Sequence, residues 1–105
     1  MFPFRPRITC KDGFSMDVQA DRFAYSEPRE DQGPYTHVEV GFPSREVPLL
    51  NRYIEVPDSD PTESVYPMVP IELIQKIIEE CGGAEGEIAW DQPGLPSPVS
   101  GAPGR

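Results

Sequence analysis

The amino-acid sequence predicts a small α+β domain in which an antiparallel sheet is packed by a C-terminal helix. Apolar and polar residues alternate over 7–20 and again over 35–42, which is the period of a half-buried strand. Apolar residues then recur at helical spacing over 70–81, between a proline and a pair of glycines. The chain of 105 residues has room for one domain, which we assign to residues 1–83.

Residues 7–20 predict a β-hairpin whose turn contains Asp12 and Gly13. A two-residue turn would place the apolar residues of the two strands on opposite faces of the sheet. A three-residue loop of Lys11, Asp12 and Gly13, with the glycine in the left-handed conformation, keeps them on one face. We therefore expect the three-residue loop. It gives three cross-strand pairs: Cys10 with Phe14, Ile8 with Met16, and Arg7 with Asp17.

Residues 21–34 mix charged residues with proline and glycine, and they predict a connection of about a dozen residues. Connections of that length tend to be either functional or mobile. Residues 35–42 predict the third strand, and alternation places Val38 and Val40 on the face opposite to His37.

Residues 45–54 predict a short helix. Ser44 has a side chain suited to an N-cap, and Pro48 is compatible with the first helical turn. Leu50 and Ile54 then share one apolar face with the helical period.

Residues 65–69 predict an extended segment, and Pro67 within it lacks an amide donor, so we expect an edge strand. Residues 70–81 predict the C-terminal helix. Pro70 suits the first helical position, and Gly82–Gly83 form a stop signal. The apolar face of this helix consists of Ile71, Ile74, Ile78 and Cys81.

Charge is distributed unevenly along the chain. Residues 1–52 carry eight acidic and seven basic side chains, whereas residues 53–105 carry ten acidic and two basic, so the second half accounts for -8 of the formal charge of -9. Residues 84–105 are rich in proline and glycine with few apolar side chains, which predicts a disordered acidic tail. From this half we select the candidate partner-binding residues: Glu72, Glu79, Glu80, Glu85, Glu87, Trp90 and Asp91.

The acidic balance excludes several classes of partner. A formal charge of -9 disfavours direct binding to nucleic acid or to an anionic membrane, and it favours a protein partner with a basic surface. The sequence has no apolar run near the ~20 residues that a membrane span needs, and residues 1–10 lack the apolar stretch of a signal peptide. We expect a cytoplasmic protein without a cofactor.

Cys10 and Cys81 are the two cysteines of the chain. A disulfide between them would close a loop of about 70 residues and contribute roughly 4 kcal/mol, but only in an oxidising compartment. Both occupy positions predicted to face the core, so we favour buried free thiols and keep the disulfide as the alternative.

Residues 58–62 match the DxDxT signature of haloacid dehalogenase-like phosphatases. That chemistry needs a doubly wound parallel sheet and further charged residues, and this short chain has a single later lysine, Lys76. The same stretch fails as an EF-hand, because Glu63 stands where the loop needs glycine and Val69 where it needs glutamate. We therefore predict a turn organised by aspartate side chains.

His37 is the only histidine, and alternation places it on the same strand face as Glu39, a potential ion-pair partner. We predict an exposed strand histidine. The sequence offers it no associated nucleophile, so we predict no catalytic residue. Cys10, His37 and Cys81 lack the short ligand spacing of a zinc site, so we predict no metal site.

Three stretches resemble a group of small, uncharacterised bacteriophage proteins: ITCKDGFSMDVQA at 8–20, GPYTHVEVGFPS at 33–44, and VYPMVPIELIQKIIEECGG at 65–83. The resemblance covers most of residues 8–83 and excludes the tail. It implies a viral setting and transfers no site residue.

We therefore expect a non-enzymatic, phage-encoded accessory protein that binds another protein in the host cytoplasm. An inhibitor of a host defence or nucleic-acid-handling enzyme fits, because acidic side chains on a small scaffold can occupy a groove built for phosphates. The alternative is a structural or accessory virion protein whose termini contact neighbouring subunits.

Overall fold

The computed structural model describes residues 7–86, and these form a four-stranded antiparallel sheet with one α-helix. The strands follow one another in space as they do in the chain, and their bounds are β1 Arg7–Thr9, β2 Ser15–Gln19, β3 His37–Gly41 and β4 Val65–Pro70. Two 3-10 turns, Pro48–Tyr53 and Pro61–Glu63, precede β4, and the helix α1, Ile71–Glu80, follows it. The predicted α+β class is confirmed.

The hairpin has the register that pleat alternation requires. Its cross-strand pairs are Arg7 with Asp17, Ile8 with Met16, and Thr9 with Ser15. The amide of Cys10 donates to the carbonyl oxygen of Phe14 at 2.7 Å, and the amide of Gly13 donates back to Cys10 at 2.9 Å. Gly13 has a φ of +97°, which side-chain-bearing residues rarely adopt, so the three-residue loop with a left-handed glycine is confirmed.

β4 is an edge strand, as predicted, and it contains a β-bulge. One residue of β3, Glu39, lies opposite two residues of β4, Pro67 and Met68. Met68 has a φ of +56° at this point. Because of the extra residue, Tyr66 and Val69 both reach the core although they are three positions apart, and they are 1% and 0% exposed.

The helix predicted over 45–54 is wrong in type and in its start. The chain forms a 3-10 helix over Pro48–Tyr53, and this turn begins without a side-chain cap. Ser44 is held by β2 instead: its amide donates to the carbonyl of Ser15 at 2.8 Å, and its hydroxyl accepts from the Ser15 amide at 3.0 Å. A residue fixed in that way cannot start a helix, although Leu50 is buried as expected.

α1 begins one residue later than predicted, with the preceding proline as its N-cap. It ends as the two glycines require. The amide of Gly82 donates to Glu79 at 3.1 Å and that of Gly83 to Ile78 at 2.9 Å, which is the Schellman arrangement. Gly82 has a φ of +91°, so the helix stops in a conformation that favours glycine.

The hydrophobic core lies between α1 and one face of the sheet. Its buried members include Ile8, Cys10, Phe14, Met16, Val18, Val38, Val40, Leu50, Tyr66, Val69, Ile71, Ile74, Ile77, Ile78 and Cys81. The opposite face of the sheet is polar, and there Arg7 donates to the Asp17 carboxylate at 2.8 Å. Within residues 7–86 the buried polar or charged residues are Asp17, Ser26 and Ser64.

Residues 84 and 85, which the sequence assigned to the start of the tail, pair with the hairpin. Ala84 forms an isolated β-bridge with Cys10, and the amide of Glu85 donates to Thr9 at 2.8 Å. The edge of β1 is covered in this way. The rest of the predicted tail, 87–105, and the first six residues of the predicted domain lie outside the described residues.

Candidate functional site

α1 separates its apolar and charged side chains onto opposite sides. Its four isoleucines are buried against the sheet. The exposed side, which we call the acidic helix face, consists of Glu72, Gln75, Lys76, Glu79 and Glu80. Glu85 is also exposed and lies five residues after the end of the helix. The fold thus places Glu72, Glu79 and Glu80 on one face of α1, with Glu72 in its first turn and the other two in its last, and Glu85 follows the helix. The other three predicted site residues, Glu87, Trp90 and Asp91, lie outside the described residues.

The carboxylates of the acidic helix face have no cationic partner within residues 7–86. The ion pairs of this region join Arg7 to Asp17, Arg22 to Asp31, and Arg45 to Asp12. Lys76 lies four residues from Glu72 and from Glu80, yet it forms an ion pair with neither, so the stabilising pairs expected from that spacing are absent. Glu79 and Glu80 also lie at the C-terminal end of the helix dipole, where negative charge costs about 0.3–1 kcal/mol per group.

An open groove runs along this face. It has a volume of about 680 Å³ and is lined by Glu72, Gln75, Lys76, Ile78, Glu79 and Gly83. Ile78 is largely buried, with 8% of its surface exposed, and adds a small apolar area to the lining. A lysine or arginine side chain has matching chemistry, because its aliphatic stem packs on apolar surface while its charged end reaches carboxylates.

His37 and Glu39 share a strand face but form no ion pair, and the prediction that His37 is exposed is wrong. His37 is half-buried, and its Nδ1 lies 2.9 Å from the Thr36 hydroxyl. The Glu39 carboxylate instead accepts from Gln19 Nε2 at 3.0 Å and from the Tyr25 amide at 2.9 Å. Both groups are therefore held by the fold in positions that serve the sheet and the adjacent connection.

The DxDxT stretch forms the predicted aspartate-organised turn. The Asp60 carboxylate accepts from the Thr62 amide at 2.9 Å and from the Thr62 hydroxyl at 2.8 Å, capping the second 3-10 turn. These hydrogen bonds to Thr62, the side-chain one first, lower the pKa of Asp60 below its usual value. An aspartate engaged in this way is a structural cap.

The long connection at 21–34 holds an exposed aromatic patch that sequence reasoning missed. Phe23 is 77% exposed and Tyr25 is 44% exposed. Arginines cover both rings, with Arg22 at 5.0 Å from the Phe23 centroid and Arg29 at 5.5 Å from that of Tyr25. The signal was present in the sequence, because each ring has an arginine at a spacing of one or four residues.

Comparisons with known proteins leave the site to be interpreted from its own geometry. Within residues 7–86, no group of three or more His, Cys, Asp or Glu side chains is arranged to hold a metal ion. No helix in the same range has the length and apolar character needed to cross a bilayer. No protein-family model matches the chain, and neither does any curated protein or solved structure.

Proposed function

We propose that this chain is a non-enzymatic binding protein whose acidic helix face contacts a basic surface on a protein partner. The observation that carries the proposal is the set of exposed carboxylates at Glu72, Glu79, Glu80 and Glu85, none of which has an ion-pair partner within residues 7–86. Charge that is uncompensated within the fold is free to attract and orient a cationic partner.

The groove on this face defines the chemistry of the contact. Glu72 and Glu79 line the groove, so the charged end of an arginine or lysine of the partner can lie next to carboxylates. Such a contact favours basic side chains. Phosphate groups would be repelled from it.

The resemblance to bacteriophage proteins favours an infected cell as the setting of this proposal. A host enzyme that handles nucleic acid has a basic groove that attracts phosphates, and a row of carboxylates on a rigid helix competes for the same groove. Inhibition of such an enzyme is the form of the proposal that the acidic helix face supports. The location of the protein is then the host cytoplasm.

The first experiment is affinity capture of the tagged full chain from infected host lysate, followed by calorimetric titration of the captured protein. The test variant changes Glu72, Glu79, Glu80 and Glu85 to Gln. The matched control changes Glu27, Glu30, Glu55 and Glu63 to Gln, since these are exposed and make no side-chain hydrogen bond. Each variant removes four negative charges from the formal total of -9, so the two variants have the same net charge.

The helix variant should bind about 10- to 100-fold more weakly than the wild type, because each interfacial charge pair contributes roughly 0.4–0.7 kcal/mol. The control variant should bind within about threefold of the wild type, and the affinity of the wild type should fall as salt rises. Equal losses in the two variants would refute a specific face. Salt-resistant copurification with capsid or tail proteins would support the structural role in place of inhibition.

A further inference from the structure

Two thiols that lie far apart in the sequence meet beside the C-terminal end of α1. Cys10 follows β1 and is 0% exposed, whereas Cys81 follows α1 and is 6% exposed. Both are free, and the Cys81 side chain is among the causes that raise the pKa of the Cys10 thiol. Joining them as a disulfide requires the two sulfurs to approach to about 2.0 Å.

The backbone holds these two segments together independently of the thiols. The amide of Lys11 donates to Gly83 at 2.9 Å, and the amide of Asp12 donates to the carbonyl of Cys81 at 3.2 Å. Cys10 itself forms a β-bridge with Ala84. These backbone contacts hold the two cysteines in neighbouring segments of the native chain.

Arg45 fixes the sulfur of Cys81. Its guanidinium donates to Cys81 Sγ at 3.3 Å and to the Asp12 carboxylate at 3.2 Å, and it lies 4.7 Å from the ring centroid of Phe14. Burial, with a further contribution from Cys81, raises the pKa of the Cys10 thiol to about 11. Cys81 is the more exposed of the two, so an incoming reagent meets it first, while Cys10 keeps its proton and lies behind it.

We propose that Cys10 and Cys81 form a thiol–disulfide exchange site that low-molecular-weight disulfides of the glutathione class convert into an intramolecular disulfide. The Cys81 sulfur gives up its proton and attacks one sulfur of the small disulfide, and the displaced sulfur takes up a proton and leaves as a thiol. The Cys10 sulfur then attacks the Cys81 sulfur of the mixed disulfide, and the second small thiol leaves with the second proton. Two protein thiols are oxidised and one small disulfide is reduced to two thiols.

The product ties the hairpin to the end of the helix. Because the cross-link spans about 70 residues, it restricts the unfolded chain and should raise the thermal midpoint by roughly 10–20 °C. The inference is independent of the partner-binding role, since it concerns buried thiols and is measured without any partner.

The test incubates the reduced full chain with oxidised glutathione under native conditions. Free thiols are then counted in denaturant, the intact mass is measured, and thermal unfolding is followed by circular dichroism. We expect both thiols to disappear, the mass to fall by two hydrogen atoms and the thermal midpoint to rise, and dithiothreitol should reverse all three changes. The protein should stay monomeric throughout.

Variants distinguish the two cysteines. Cys10→Ala should accumulate a glutathione adduct on Cys81, because no second thiol is present to displace it, and Cys81→Ala should stay unmodified over the same period. Arg45→Ala should slow the oxidation of the wild-type pair several-fold, whereas Arg52→Ala, an exposed arginine stacked on Tyr53 at 5.7 Å, should leave the rate unchanged.

Three results would overturn the proposal: a wild-type chain that keeps both thiols, one that collects stable glutathione adducts, or one that forms cross-linked dimers. If the alanine variants do not fold, peptide mapping of the oxidised wild type decides the question. A peptide containing Cys10 joined to one containing Cys81 supports the exchange site, and the absence of that species overturns it.

Discussion

Replacing Gly82 by alanine tests whether the end of α1 depends on a glycine in the left-handed backbone conformation. Gly82 has a φ of +91°, and an added Cβ would lie 3.5 Å from the Cβ of Lys11, which is an ordinary contact. The cost of Gly82→Ala is therefore one of backbone conformation, about 1–2 kcal/mol. Gly83→Ala should cost a similar amount, since Gly83 has a φ of +96° and no atom within 4 Å of the added Cβ.

Urea unfolding followed by far-ultraviolet circular dichroism measures this loss. With a slope of about 1.5 kcal/mol per M, a loss of about 1.5 kcal/mol lowers the urea midpoint by about 1 M without a change in slope. Gly41→Ala is the matched control. Its φ is not positive and its added Cβ would lie 3.8 Å from that of Asp17, so its stability should change by less than about 0.5 kcal/mol. Equal effects of Gly82→Ala and Gly41→Ala would refute the Schellman end of the helix.

Three further changes test the core, the buried thiol and the aspartate cap. Ile74 is 0% exposed, so Ile74→Ala should cost about 3 kcal/mol in urea unfolding, against less than about 0.5 kcal/mol for the exposed Gln75→Ala; equal losses would contradict the packing of α1. The pKa of Cys10 is raised from 9.0 to about 11, so the thiol loses its proton at lower pH in the unfolded chain than in the folded protein. Under reducing conditions, the free energy of unfolding of the wild type should therefore fall between pH 9 and 11. The fall should be roughly 2 kcal/mol larger than in Cys10→Ala. A wild-type curve parallel to that of the variant would count against this burial. Nuclear magnetic resonance should show a pKa below 3.8 for the Asp60 carboxyl in the wild type and a pKa closer to 3.8 in Thr62→Val. The stabilising contribution of Asp60 is lost as the pH falls through that lowered pKa. A pKa of 3.8 or above for Asp60 in the wild type would contradict the cap.

The hairpin and the C-terminal helix could be predicted because their information is local. Pleat alternation allows only one register that keeps Ile8 and Met16 on the same face, and Gly13 supplies the left-handed residue that this register needs. The isoleucines of α1 recur at the helical period, and the stop at Gly82 is a property of its own backbone.

The segment at 45–54 could not be predicted correctly because its conformation depends on a distant residue. Ser44 is a good helix cap in isolation, but two hydrogen bonds to Ser15, 29 positions away, hold it against β2. The bulge at Met68 also depends on distant residues, because it allows both Tyr66 and Val69 to be buried against neighbouring elements. Local conformational propensity predicts neither the hydrogen bonds of Ser44 nor the bulge.

Composition by itself determined the acidic second half of the chain and the choice of Glu72, Glu79 and Glu80 as exposed residues, because charged side chains on a helix with one apolar stripe face the solvent. Only the tertiary structure decided that these carboxylates lack ion-pair partners within residues 7–86 and that the segments of Cys10 and Cys81 pair with each other. Periodicity reports how each segment folds on its neighbours in sequence. Which distant side chains meet is set by the packing of the whole sheet and helix, where the free energy of burial is shared among all the residues of the core.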